Sequence, residues 1–153
     1  MQSICKALWI MLLIYSNSFG QISTTQFIGE QFTKNISSFK DSLKLKPIEE
    51  SEFKEITTLS YYDWLEPISV KVSYMFNKTG QQIGKYLTNG KQNDDDADKL
   101  FLMLKNTLVK EFNLGYTETS LLGVTMLTFQ SAKGVTILLI RKGETTKCTI
   151  MKM

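Results

Sequence analysis

The chain has 153 residues, 42% hydrophobic and 22% charged, with 18 basic residues against 15 acidic ones and no histidine. A net charge of +3 with its lysines scattered makes no polyanion-binding stripe, so nucleic acid is not an expected partner. The missing histidine removes the commonest general base, the Ser-His and Cys-His pairs and most zinc sites, and no cofactor is implied.

Residues 1–20 have the order of a secretory signal. Lys6 precedes an apolar run from Ala7 to Tyr15, and the polar Ser16-Asn17-Ser18 leads into Phe19-Gly20, with small residues one and three positions before a cut at Gln21. The run is far shorter than the roughly 20 apolar residues a membrane span needs, so no stable membrane insertion is expected after cleavage. The expected product is a secreted or periplasmic single domain over residues 21–153. Cys148 is its only thiol, so no intramolecular disulfide can form.

From Thr25 the apolar residues Ile28, Phe32, Ile36, Phe39 and Leu43 fall at helical steps, predicting one helix over 25–43 that ends before Pro47. The charged stretch from Lys46 to Lys54 is expected to be a connection. Ile56–Tyr62 is a weak strand candidate. Ile68–Phe76 is a strong one, because Ile68, Val70, Val72, Tyr74 and Phe76 alternate with Ser69, Lys71, Ser73 and Met75. Asn77-Lys78-Thr79-Gly80 supplies a turn, and Gln81–Leu87 returns as the second arm of a hairpin.

A second helix follows, with Ala97, Leu100, Phe101, Leu104, Leu108 and Phe112 on one face, aspartates in its first turn and Lys110 near its end. Gly115 is the expected left-handed C-terminal cap. Three further runs, 121–129, 135–141 and 146–151, are expected strands. The middle one is apolar on both faces, as in a strand covered above and below. The expected fold is α+β: an antiparallel sheet of five to six strands with two amphipathic helices packed on it. Helix starts near Thr25 and Asp94 hint at a duplicated helix-plus-hairpin unit, but few residues align and chance explains the hint better.

The end of the chain, from Ala132-Lys133-Gly134-Val135 through Arg141-Lys142-Gly143 to Lys147, Ile150 and Lys152, resembles the closing hairpin of the C-terminal sorting domains of type IX bacterial secretion. Those domains are all-β, whereas a long helix precedes this hairpin and Thr136 stands where an aromatic is usual. The resemblance implies a hairpin and carries no function.

Asp94, Asp96 and Asp98 have the one-three-five spacing of a calcium loop and are weak metal candidates. Lys99 occupies the glycine position and Lys105 that of the bidentate glutamate, so helix capping explains the cluster better. Glu49, Glu50, Glu52 and Glu55 could supply an acid and a base, but no second motif fixes a geometry. Asn35-Ile36-Ser37 and Asn77-Lys78-Thr79 match the N-glycosylation pattern.

Tyr61, Tyr62 and Trp64, beside Asp63 and Pro67, form the candidate binding patch, since such aromatics offer large contact areas at low entropic cost. The competing expectation is that they close one end of the core. The expected function is non-catalytic binding of an unknown protein or small ligand by an exported protein. The alternative is a carboxylate-dependent hydrolase or a divalent-ion-binding protein.

Overall fold

The computed structural model describes residues 22–43, 46–131 and 134–152, so the expected signal over residues 1–20 and its cleavage site lie outside the described residues. The α+β class holds, with a single antiparallel sheet. The sheet has eight strands, and three helices occur among the described residues, in place of five to six strands and two helices.

The predicted first helix is two. Helix α1 (Thr24–Gly29) is capped by the Ser23 hydroxyl, which accepts from the Gln26 amide, and α2 (Ile36–Leu43) follows an extended connection. Helical spacing continues across the break, but two local features override it. Gly29 ends α1 cheaply, and Asn35 starts α2 by accepting from the Ser37 amide at 3.1 Å. The connection also pairs with the turn near residue 80: the Ile36 amide donates to Gly80 and the Gln82 amide to Lys34.

Two four-stranded meanders make the sheet. The first is β1 (Glu49–Phe53), β2 (Ile56–Leu65), β3 (Ile68–Phe76) and β4 (Gln82–Asn89); the second is β5 (Tyr116–Leu121), β6 (Val124–Ser131), β7 (Val135–Lys142) and β8 (Thr145–Lys152). Their spatial order is 1-2-3-4-8-7-6-5, because β4 and β8 pair antiparallel at the centre. This palindromic order is what two copies of one meander produce when their last strands join. Each meander also follows a helix, so a repeat exists in topology even though the residues do not align.

Between the meanders runs α3 (Asp94–Asn106), which continues as a π-helical turn over Thr107–Glu111. Asn93 caps it by accepting from the Asp96 amide at 2.8 Å, and the three aspartates of the first turn suit the helix dipole. The left-handed residue at its C-terminal end is Asn113 (φ 50°), not Gly115. The Thr107 hydroxyl donates to Met103 O at 3.0 Å and pairs with the Thr24 hydroxyl at 2.8 Å, tying α1 to the end of α3.

All three helices pack on one face of the sheet. Strand registers place Leu59, Tyr61, Leu65, Ile68, Val70, Val72, Tyr74, Phe76, Lys85, Leu87, Leu127, Phe129, Ile137, Leu139, Cys148 and Ile150 on that face, and every one is buried. Phe39 of α2 meets the rings of Tyr74 at 4.4 Å, Phe76 at 5.4 Å and Tyr61 at 6.2 Å. Each of these large side chains contributes about 2–3 kcal/mol by burial, enough for a core of this size to hold without a disulfide among the described residues. α3 is fixed across the centre by the Thr146 hydroxyl, which donates to Ala97 O at 2.6 Å.

Candidate functional site

Alternation in a strand sends successive side chains to opposite faces, and in β2 this divides the predicted aromatic patch. Tyr61 is 7% exposed and lies in the core against Phe39, with its hydroxyl lacking a hydrogen-bond partner among the described residues. Burial pushes that phenol above its ordinary pKa, and the charge of Glu50 adds to the rise. Tyr62 (61% exposed) and Trp64 (47%) lie two residues apart on the other face.

That second face carries no helix among the described residues. Register continues it from Tyr62 to Lys71 on β3 and Thr88 on β4, then to Lys147 on β8, Ile140 on β7 and Met126 on β6. A parallel row runs from Ser73 through Tyr86, Thr149 and Leu138 to Thr128. The first meander thus offers aromatic and hydroxyl groups, and the second offers Val124, Met126, Leu138 and Ile140, all half-buried, with Leu121 and Met151 exposed. β7 is an interior strand of the sheet, yet its apolar residues Leu138 and Ile140 are not covered by a helix as the two-faced pattern predicts.

Charge on this face is mainly positive. Lys71 bonds to Glu49, which with the nearby phenols of Tyr86 and Tyr62 holds its pKa above the usual lysine value despite the opposing effect of burial. Lys147 lies 4.1 Å over the Tyr86 ring, an attractive cation–π geometry, and Lys142 pairs in register with Val124. The Ser60 and Ser73 hydroxyls, both buried, bond each other at 2.9 Å at the β2–β3 end of the second row.

The acidic candidates do not converge. Asp94 and Asp98 bond the Arg141 guanidinium at 3.0 and 2.7 Å, and Asp96 accepts from the Asn93 amide group at 3.0 Å. The cluster therefore anchors the start of α3 to β7. No group of three or more metal-ligating side chains occurs among the described residues. Glu49, Glu50 and Glu55 pair with Lys71, Lys40 and Lys78 respectively, spread along β1 and its turn. The two glycosylation-pattern asparagines act as caps: Asn35 Oδ1 accepts from Ser37, and Asn77 Oδ1 accepts from the Thr79 and Gln81 amides.

Sequence reasoning missed the Glu30–Lys85 pair. Lys85 is fully buried beneath α1, 3.2 Å from a Glu30 carboxylate oxygen and from the Glu30 carbonyl, with the Phe27 ring centre 4.9 Å away. Burial lowers the Lys85 pKa and the Glu30 charge opposes the shift. The alternation Gly84-Lys85-Tyr86 contained the signal, since Lys85 shares its face with Leu87. Cys148 is buried nearby and its thiol is pushed up to about 12, which makes it an unreactive core residue.

No protein-family model, no curated protein and no solved structure matches this chain significantly. No helix among the described residues is long and apolar enough to cross a membrane.

Proposed function

We propose that the protein is a small exported binding protein without catalysis, and that the sheet face bearing no helix among the described residues is its contact surface. The observation that carries this reading is the pairing of Tyr62 and Trp64, largely exposed at one end of the face, with an uncovered apolar stretch over Met126, Leu138 and Ile140 at the other. Exposed aromatic and apolar groups gathered on one face are the ordinary mark of a protein interface, and Tyr and Trp are its usual anchors.

The chemistry of the face favours a protein partner with acidic groups at its centre, to meet Lys71 and Lys147, and apolar groups on either side of them. Lys71, Lys142 and Lys147 outweigh Glu49 on this surface, which steers acidic partners toward it. A second copy using the same face would bring two net-positive surfaces together. Export, with Gln21 as the new N-terminus, is supported by the charged, apolar and small-residue order of residues 1–20.

The Tyr62→Ala/Trp64→Ala variant tests the reading. It should melt with the wild-type protein and lose its partner, whereas loss of folding would place both aromatics among the residues that hold the sheet together. The carboxylate-hydrolase and divalent-ion alternative has the paired, dispersed acids against it.

A further inference from the structure

The helix-covered side of the sheet contains a cleft of about 560 Å³, independent of the open face. Its origin is the break between α1 and α2. The end of α1 and the connection that follows it, Ile28–Thr33, form one wall, Phe112 and Leu114 beyond the π-helical turn form another, and Val135, Ile137, Ile150 and Lys152 of β7 and β8 make the floor and rim. Register puts Val135 beside Lys152 and Ile137 beside Ile150 at the end of these strands away from Arg141 and Thr146, where α3 is anchored.

We infer that this cleft binds an amphipathic anion, an acyl monocarboxylate, with its alkyl chain among Ile28, Phe32, Phe112, Leu114, Ile137 and Ile150 and its carboxylate at Lys152. The volume falls within the roughly 300–1,000 Å³ of small-ligand sites, and the walls are predominantly apolar. Two charged side chains line it. Glu30 is already engaged by Lys85 at 3.2 Å and Lys34 at 3.5 Å, so its charge is compensated within the protein. Lys152 is exposed at the rim and has no ion pair among the described residues. The local excess is therefore positive, which an acyl carboxylate complements and an amine or a neutral alkane does not.

Titration of the purified protein with dodecanoate and with 1-dodecanol tests the inference. Dodecanoate should bind saturably at one site, and its amide NMR shifts should concentrate at Gly29–Thr33, Phe112, Leu114 and Ile150. Dodecanol should bind about two- to fivefold more weakly, as expected for loss of one exposed ion pair, and Lys152→Gln should bring dodecanoate down to the same level. Gly29→Leu and Val135→Trp fill the cleft from two sides; Gly29 has ordinary negative-φ backbone, and a Cβ there would meet Phe112 at 3.6 Å. Each folded variant should lose dodecanoate. The Tyr62→Ala/Trp64→Ala variant should retain it, which separates this site from the partner surface. Absence of saturable binding, shifts located elsewhere, or full affinity in a folded filling variant would overturn the site. Equal affinities for dodecanoate, dodecanol and the Lys152→Gln protein would overturn the anion.

Discussion

Tyr61 and Tyr62 are adjacent in β2 and serve opposite faces of the sheet: Tyr61 packs edge-on against Phe39, and Tyr62 pairs in register with Lys71 in solvent. Tyr61→Ala should therefore cost about 3 kcal/mol in urea unfolding, whereas Tyr62→Ala should change stability by less than about 0.5 kcal/mol. Tyr61→Phe should be neutral or mildly stabilising, since it removes a buried hydroxyl with no partner among the described residues. Equal losses from Tyr61→Ala and Tyr62→Ala would contradict the division of faces.

The buried Lys85 makes stability depend on pH in a defined direction. Its folded pKa lies below the ordinary 10.5, so between those values the unfolded chain holds more protons and stability rises with pH. Removing the opposing carboxylate with Glu30→Gln should cost about 2 kcal/mol near neutral pH, because water reaches Glu30 and softens the penalty of an unpaired buried charge. That deficit should shrink as pH approaches 10.5 and Lys85 loses its proton in both proteins. Lys85→Met should be far milder than Glu30→Gln. Chemical unfolding at several pH values checks both expectations.

The β5–β6 hairpin turns through Leu122 (φ 49°) and Gly123 (φ 76°), a pair of left-handed residues, and Leu122 is 94% exposed. Asparagine tolerates this conformation and leucine does not, so Leu122→Asn should stabilise the protein by about 1 kcal/mol. A fall in stability would mean that Leu122 is held by contacts beyond its own turn.

Arg141 joins β7 to the first two turns of α3 through Asp94 and Asp98. Arg141→Met should lower stability by about 1 kcal/mol, limited by the solvent around both carboxylates. Added calcium should leave the melting temperature unchanged, since these aspartates already have partners. A calcium-dependent rise in the wild-type protein that disappears in Asp94→Asn would restore the metal reading.

The strands legible in the sequence are those with an apolar face to bury, such as β3, where Ile68 to Phe76 alternate cleanly. The two that escaped, β1 and β5, are the sheet edges and are exposed throughout, so their sequences carry no period to read. The apolar Leu121-Leu122 also hid a turn, because leucine is a rare choice at positive φ. Helical spacing from Ile28 to Leu43 persisted through a break fixed by Asn35 capping and by pairing with Gly80, a long-range contact no local pattern contains. The aromatic cluster was visible as a group of residues, but assigning Tyr61 inward and Tyr62 outward required the strand register. Alternation put Lys85 on the face of Leu87, but its partner Glu30 is distant in sequence and close only after folding, so the pair itself was not legible.

Site-specific photo-cross-linking tests the central claim most directly. A benzophenone side chain at position 119, exposed and in register with Met126, reports on the open sheet face, and one at position 102, an exposed site on α3, reports on the helix side. With the protein expressed in its native compartment, position 119 should yield a discrete adduct with another protein, and position 102 should not. Adducts of equal yield from both positions, or none from position 119, would contradict the assignment of this face as the binding surface.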